Sequence, residues 1–161
     1  MKMRRVHVPM PLDRLAEYPI LAGCLDGWRR LSDHGLPETI DPVEMPVEAI
    51  KAISLIDWDD THCRWIVRLS STLMDQGHGK SMSGKPLSDG FSPKDYPGVC
   101  SRLDKILASG EPDLARHEFT DARGRRWAYT RLVLPLSSDG MKRDRYAVVY
   151  DPGTFGQRLG G

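Results

Sequence analysis

The sequence lacks the features that mark secreted, membrane-spanning and nucleic-acid-binding proteins. Its 161 residues include three cysteines, Cys24, Cys63 and Cys100, whose odd number and wide spacing argue against a disulfide framework and favour a reducing compartment. No apolar run approaches the roughly 20 residues that a membrane helix needs, and residues 1–5 do not begin a signal peptide. The formal net charge of +1 gives no field that attracts nucleic acid or a membrane surface. We therefore expect a cytoplasmic protein that binds no nucleic acid.

Motifs of catalysis and metal binding are also missing. The five histidines form no H-E-x-x-H pair, and no G-x-S-x-G nucleophile elbow occurs. Residues 77–81, G-H-G-K-S, end like a phosphate-binding loop, but Met74 stands where its first glycine belongs, and Gly84 and Pro86 oppose the helix that must follow. Residues 59–63 contain metal-ligand side chains, yet no second cluster completes a four-ligand shell, and a β-turn also uses Asp and Thr. We expect no metal site and no enzymatic activity.

The length and composition favour one domain flanked by two short segments. A chain of 161 residues buries a core without disulfides or metals. Residues 1–18 contain prolines and no periodicity, which predicts a flexible N-terminal arm, and residues 152–161 predict a flexible tail. The domain is expected to extend over residues 19–151.

Two long segments have the apolar spacing of amphipathic helices. The first extends from Pro19 to about Ser32, and the second begins near Tyr96 and ends before Gly110. Between them, residues 41–44 (D-P-V-E) combine a capping Asp, a Pro at the first helical position and a Glu at the third, which predicts a short helix. The apolar faces consist of Leu21, Cys24, Leu25, Trp28 and Leu31 in the first helix and of Tyr96, Val99, Cys100, Leu103, Ile106 and Leu107 in the second.

Five further segments have the composition and alternation of strands. They cover residues 52–58, 63–70, 116–121, 129–136 and 145–150. The last three predict an antiparallel meander, because each connection is short and contains a Gly that accepts positive φ. In the fourth segment, Leu132 and Leu134 project to one face and Tyr129 and Arg131 to the other. Residues 132–134 are apolar on both faces, so we expect both sides of this strand to be covered.

The order of these elements, two strands, a helical connection and three antiparallel strands, is that of PAS domains. The chain resembles in particular a bacterial stand-alone PAS-like subfamily with the segments F-R-Y-R-L-V-G-T, L-T-G-R and R-L-L-L-P-L-S-x-D-G. The corresponding segments here are W-I-V-R-L-S-S-T at 65–72, M-S-G-K at 82–85 and R-L-V-L-P-L-S-S-D-G at 131–140, and D-P-V-E-M-P at 41–46 resembles the family's D-P-x-E-I-P. The chain departs from the pattern at Ser71, where the family has Gly, and at Ile66 and Val67, where it favours Arg and Tyr.

This resemblance implies an α+β fold, with a PAS-like five-stranded antiparallel sheet, helices on one face and an additional N-terminal helix. The first strand is expected beside the last. The resemblance further implies a non-catalytic sensory or signalling module that acts through protein–protein interaction, with or without a small ligand in the PAS cavity. The alternative is a ligand- or haem-binding sensor whose cofactor is the main input. These residues do not indicate a particular cofactor. The N-C-R-F-L-Q helix of the family's flavin photosensors is absent around Cys63 and Cys100.

The resemblance also indicates where ligands and partners would bind. The expected cavity lining consists of Trp65, Val67, Leu69, His78, Leu132 and Leu134. His78 is the best candidate for a haem ligand, because it lies in the connection that borders the PAS cavity. The expected partner interface consists of Leu21, Leu25 and Trp28 on the first helix and of Tyr129 and Arg131 on the outer face of the sheet. We expect a homodimer through that helix and, as a further partner, another signalling protein.

Overall fold

The structure, a computed structural model, describes residues 4–120 and 124–159, including all of their side chains except that of Arg4. The strands in these ranges are β1 (Arg4–Met10), β2 (Ile53–Asp59), β3 (Arg64–Leu69), β4 (Asp113–Thr120), β5 (Arg126–Leu136), β6 (Arg145–Tyr150) and β7 (Gln157–Arg158). The α-helices are α1 (Pro19–Leu31), α2 (Thr72–His78) and α3 (Tyr96–Ser109), and short 3-10 helices cover Leu12–Glu17, Pro42–Glu44, Val47–Ala52 and Leu87–Gly90. None of the helices in the described ranges is long and apolar enough to cross a membrane.

The strands form one antiparallel sheet in the order β1-β4-β5-β6-β2-β3. β2 lies between β3 and β6, with Ile53 opposite Val149 and Asp57 opposite Arg145. This confirms the predicted pairing of the strand at 53–58 with the strand at 145–150, which joins the two ends of the domain. Strands β2 to β6 have the order of a PAS sheet, and the fold is PAS-like and of the α+β class, as the sequence predicts.

Residues 4–17 are not the flexible arm that the sequence predicts. β1 pairs along its whole length with residues 114–120 of β4 and extends the PAS sheet by one strand. Pro9 is compatible with this strand, because an edge strand has one side on which no N–H donor is needed. The strand has no clear signal in the sequence, because the alternation in R-V-H-V at 5–8 places polar side chains on one face. The groups that cover that face come from distant parts of the chain.

The predicted flexible tail also contains a short strand. β7 pairs with residues 127 and 128 of β5, and the N–H of Leu159 donates to the carbonyl of Arg126 at 3.0 Å. β5 extends beyond the end of β6, whose pairing with β5 begins at Arg131. The start of β5 pairs with β4 on one side, and on its other side, beyond the end of β6, the chain end supplies partners for its backbone groups.

Helix α1 covers one face of the sheet. It begins at Pro19, whose missing N–H is harmless at the first helical position. Its apolar side chains, among them Leu21, are buried against β5 and β6. Nε1 of Trp28 donates a hydrogen bond to the carbonyl oxygen of Pro135 at 2.8 Å. The apolar face that the sequence predicts for this helix therefore packs on the chain's own sheet.

Helices α2 and α3 and the segment between them cover the other face. α2 begins after Ser71, whose Oγ accepts a hydrogen bond from the N–H of Met74 at 3.0 Å. α3 ends at Gly110, whose φ of +68° allows its N–H to reach two carbonyls of the last turn. β5 therefore has a layer on each side, and residues 131–137 are all buried. This confirms the expectation that both sides of the strand are covered.

Candidate functional site

A cavity of about 70 Å³ lies between the sheet and the layer formed by α2, α3 and their connection. Its position is the one that the PAS resemblance predicts. The lining side chains are Arg5 of β1, Ile56 of β2, Met74 of α2, Leu87 and Phe91 of the connection, Val99, Arg102, Leu103 and Ile106 of α3, His117 of β4, Tyr129, Arg131 and Val133 of β5, and Tyr146, Val148 and Tyr150 of β6.

The register of the sheet brings the polar lining residues together. His117 lies opposite Tyr129, and Arg131 lies opposite Tyr150. The rings of His117 and Tyr129 are stacked, with centroids 5.1 Å apart, and Tyr129 meets Tyr150 edge to face at 5.2 Å. Such aromatic pairs stabilise the arrangement beyond the burial of their surface. The wall of the cavity formed by β4, β5 and β6 is therefore largely aromatic.

Two of the three arginines in the lining have contacts that hold them in place. Arg131 is 6% exposed, and its Nη1 donates to Oδ2 of Asp113 at 2.6 Å and to the Asp113 carbonyl oxygen at 2.9 Å. The Arg5 guanidinium donates to the hydroxyl oxygen of Tyr129 and lies 4.6 Å from the ring centroid of Phe91. A cation over an aromatic face is attracted by the ring quadrupole.

Arg102 has no such partner. It lies three positions after Val99 and four before Ile106, so it shares the apolar stripe of α3 that faces the sheet. No hydrogen bond or ion pair joins its side chain to the residues that the structure describes. Burial, followed by the charges of Arg5 and Arg131, lowers the pKa of Arg102. An arginine on an apolar helical stripe is a signal that the sequence analysis overlooked.

Two histidines face each other across the β1–β4 pair, with ring centroids 5.1 Å apart. His117 is 4% exposed, and burial followed by the charge of Arg131 lowers its pKa well below the usual range. Burial, followed by the charge of Arg102, lowers the pKa of His7 to about 4. Nδ1 of His117 and Nε2 of His7 are buried without a hydrogen-bond partner in the described part of the chain. Both rings are therefore uncharged at neutral pH.

The predicted lining residues on the strands do not line the cavity. Leu132 and Leu134 are fully buried on the opposite face of β5 from Arg131. Trp65 and Val67 are buried in the layer beside the cavity, and Leu69 is 52% exposed. The alternation along β5 was interpreted correctly, but the wrong face was assigned to the cavity. The apolar face packs under α1, whereas the face with polar side chains encloses the space.

His78 lies outside the cavity as well. Its ring is half-buried at the end of α2 and meets Phe91 edge to face at 6.3 Å. Burial, followed by the charge of Arg5, lowers its pKa. A Cβ on Gly90 would lie 2.8 Å from Cε1 of His78, so a glycine is needed there for the ring to pack. His78, predicted to line the cavity, instead contacts Phe91, which belongs to the lining.

Of the five residues predicted for a partner interface, four are buried and Tyr129 is half-buried. Tyr129 and Arg131 line the cavity instead of the outer face of the sheet. Leu21, Leu25 and Trp28 are 0%, 6% and 7% exposed, because α1 is already packed on the chain's own sheet. A dimer through this helix would have to compete with the core, so the predicted interface is wrong for the folded chain.

The segment at 59–63 has the geometry of a turn. Oδ1 of Asp59 accepts from the N–H groups of Thr61 and His62, at 3.0 and 3.3 Å, and its Oδ2 lies 2.8 Å from Nδ1 of His62. These bonds use the carboxylate to close the chain reversal between β2 and β3. Within residues 4–120 and 124–159, no three side chains of metal-ligating types are grouped as a metal site would require.

Comparisons with known proteins find similarity in structure only. No protein-family model matches the chain, and no curated protein matches its sequence. An RNA-binding Light-Oxygen-Voltage receptor is 15% identical with a TM-score of 0.42, over 95% of this chain and 39% of that one. A variant of the fungal photoreceptor VVD is 12% identical with a TM-score of 0.46, over 81% and 91% of the two chains. The PAS domain of a protein from Colwellia psychrerythraea is 13% identical with a TM-score of 0.46, over 69% and 97%.

The chain thus spans less than half of the RNA-binding receptor. Similarity at TM-scores below 0.5 carries no information on ligand, partner or activity. The PAS-like assignment follows from the strand order of the sheet and from the position of the cavity between the sheet and α3.

Proposed function

We propose that this chain is a non-catalytic PAS-like sensory or signalling module that receives its input in the cavity and delivers its output through contact with another protein. The observation that carries the proposal is the cavity between the sheet and the helices, which is lined by Arg102, His117 and Tyr129 where a purely structural core would be apolar. The segments that resemble the bacterial stand-alone PAS-like subfamily support membership of that group. Three free cysteines are consistent with a cytoplasmic location, which we include in the proposal.

The cavity does not fit the large cofactors of some PAS sensors. Its volume of about 70 Å³ is below the roughly 150 Å³ that admits a single benzene ring, so a flavin or a haem would require the walls to move. None of the three cysteines lines the cavity, and His78 is separated from it by Phe91. The alternative of a haem- or cofactor-dependent sensor therefore has no support from these residues.

The lining also favours a role without catalysis. In the described part of the chain it contains no Ser, Thr, Cys, Lys, Asp or Glu side chain, so the commonest nucleophiles and carboxylate bases are not part of it. His117 is a poor general base near neutral pH, because its pKa is well below the usual range. Turnover of a substrate by the purified chain in a broad hydrolase and transferase screen would contradict this part of the proposal.

The exposed apolar side chains favour a different contact surface from the one that the sequence predicts. Val43, Val47 and Ile50 are 89%, 79% and 46% exposed and are spaced four and three positions apart. Val47 and Ile50 belong to one 3-10 helix, in which positions three apart lie on the same face, and Val43 belongs to the short helix before it. Exposed apolar side chains gain from association, and symmetric dimers are the commonest oligomers. We therefore assign the expected homodimer contact to residues 43–50.

Sedimentation velocity of the full chain, over a hundredfold range of concentration, tests the self-association. The double substitution V43D/V47D should shift the chain towards the monomer, because two carboxylates would be buried without partners in the contact. M141D is the matched control, since Met141 is 84% exposed in the β5–β6 connection, away from this segment. A wild-type chain that remains monomeric at every concentration, or a loss of dimer that is equal in M141D, would contradict the assignment.

A further inference from the structure

The charges around the cavity do not balance. Arg5, Arg102 and Arg131 reach it from β1, α3 and β5, and no Asp or Glu belongs to its lining. Among the described residues, the one carboxylate bound to these three guanidinium groups is Asp113, which pairs with Arg131 at 2.6 Å. Two positive charges, on the partly buried side chains of Arg5 and Arg102, therefore remain without a counter-charge around a partly open cavity. Such charges destabilise a fold unless an anion accompanies them.

Two buried side-chain nitrogen atoms of the lining residues also lack partners. Nε of Arg5 and Nδ1 of His117 are buried and have no hydrogen-bond partner in the described residues. Buried polar atoms are nearly always hydrogen-bonded, so an unpartnered pair beside one cavity calls for a bound group that accepts hydrogen bonds. Since His117 is uncharged at neutral pH, it contributes one N–H and leaves the charge to the arginines.

The volume limits the size of that group. About 70 Å³ is too small for an aromatic ring but accommodates about four or five non-hydrogen atoms. Guanidinium groups bind carboxylate and tetrahedral oxyanions more strongly than neutral acceptors, because the hydrogen bonds are charge-assisted.

We propose that the cavity binds a small oxyanion, a short-chain carboxylate or an inorganic anion such as phosphate, through Arg5, Arg102 and the N–H of His117. The inference rests on the proposed role of the cavity as the input site and names the chemical class of that input. Because Arg5 belongs to β1 and Arg102 to α3, a bound anion joins the edge strand and the covering helix to the sheet. Binding therefore stabilises the folded chain and protects the amides of β1 from exchange.

Thermal unfolding and titration calorimetry of the full chain test the proposal. Sodium phosphate and sodium acetate are compared with sodium chloride at equal ionic strength and pH. We expect a saturable rise of Tm with phosphate, acetate or both, and none with chloride. R102M is the main variant, because Arg102 makes no ion pair with the described residues and Met keeps its apolar stem. R29M is the matched control, since Arg29 is exposed on α1.

The expected change is a rise of about 10-fold or more in the Kd of the active anion for R102M, with R29M unchanged, since one charge-assisted contact is lost. In chloride, R102M should melt no lower than the wild type, because an uncompensated charge has been removed. If R102M does not fold, as judged by circular dichroism, R5M provides the same comparison of Kd. A response to phosphate alone assigns an inorganic anion, and a response to acetate alone assigns a carboxylate.

Equal Tm in all three salts, or anion binding by R102M or R5M as tight as by the wild type, would overturn the proposal. Sedimentation velocity of V43D/V47D distinguishes a failure of the anion site from a failure of the proposed function. If no oxyanion binds while V43D/V47D still breaks the dimer, the anion site is refuted and the interaction module stands.

Discussion

Replacing His7 by phenylalanine should make the protein less sensitive to acid. His7 packs against His117 across the β1–β4 pair, with ring centroids 5.1 Å apart. Its Nε2 is buried without a hydrogen-bond partner in the described residues, so a phenyl ring preserves the contact and removes no hydrogen bond. Burial and the charges of Arg102, Arg131 and Arg5, opposed by that of Asp113, lower its pKa from 6.5 to about 4.

The direction and size of the effect follow from proton binding. In the unfolded chain a histidine takes up a proton near its ordinary pKa, whereas folded His7 remains neutral until the pH approaches 4. The unfolded state therefore binds more protons between these values, and the stability present above about pH 7 is lost as the pH falls. At about pH 5 this difference in proton binding lowers the free energy of unfolding by about 2 kcal/mol relative to neutral pH. Because the ring is half-buried, solvent screening reduces the effect to between about 1 and 2 kcal/mol.

Urea denaturation followed by tryptophan fluorescence, at about pH 7.5, 6 and 5, measures this difference. The free energy of unfolding of H7F should fall less between the first and last pH than that of the wild type, by about 1 to 2 kcal/mol. H117F should show at least as large an effect, because burial and Arg131 lower the pKa of His117 further. H34F, at an exposed position after α1, should follow the wild type. Parallel pH profiles for the wild type, H7F and H117F would refute the reasoning.

Two further predictions concern the packing of β5. Leu134→Ala should reduce the free energy of unfolding by about 2 to 5 kcal/mol, because the Leu134 side chain is fully buried beneath α1. Leu69→Ala should change the free energy of unfolding by about 0.5 kcal/mol or less, because Leu69 is 52% exposed. Equal urea midpoints for the two variants would contradict the assignment of faces. Trp28→Phe should cost about 1 to 3 kcal/mol in the same assay, because the Pro135 carbonyl loses its donor. A midpoint equal to that of the wild type would show that water replaces the indole N–H.

The type and order of most elements could be predicted from local patterns. The helices at 19–31 and 96–109 agree with their apolar periodicity, and the strands at 53–59 and 145–150 agree with their alternation. These signals are local because a helical or extended segment must present its apolar residues at a fixed spacing to any core. β1 gave no such signal, since it mixes arginine, histidine and proline, and its stability depends on an edge of β4 that is more than a hundred residues away.

The candidate site depends on relations that no local pattern contains. Alternation along β5 separates Arg131 and Val133 from Leu132 and Leu134, but it does not say which set meets the cavity. We assigned the apolar set, because polar side chains are usually exposed. Arg131 is instead buried because Asp113, on the neighbouring strand, supplies its counter-charge at 2.6 Å.

The sequence by itself determined the type and order of the elements, because apolar periodicity and turn residues are properties of neighbouring positions. The pairing of the first and last PAS strands was implied by the resemblance to PAS domains. The tertiary structure alone decided which face of the sheet each layer covers, and thereby which side chains enclose the cavity. Arg5, Arg102 and Arg131 belong to three separate elements, and only their packing around one volume leaves two charges without a counter-ion. Burial and charge balance are properties of the assembled chain, which is why the site became visible only in three dimensions.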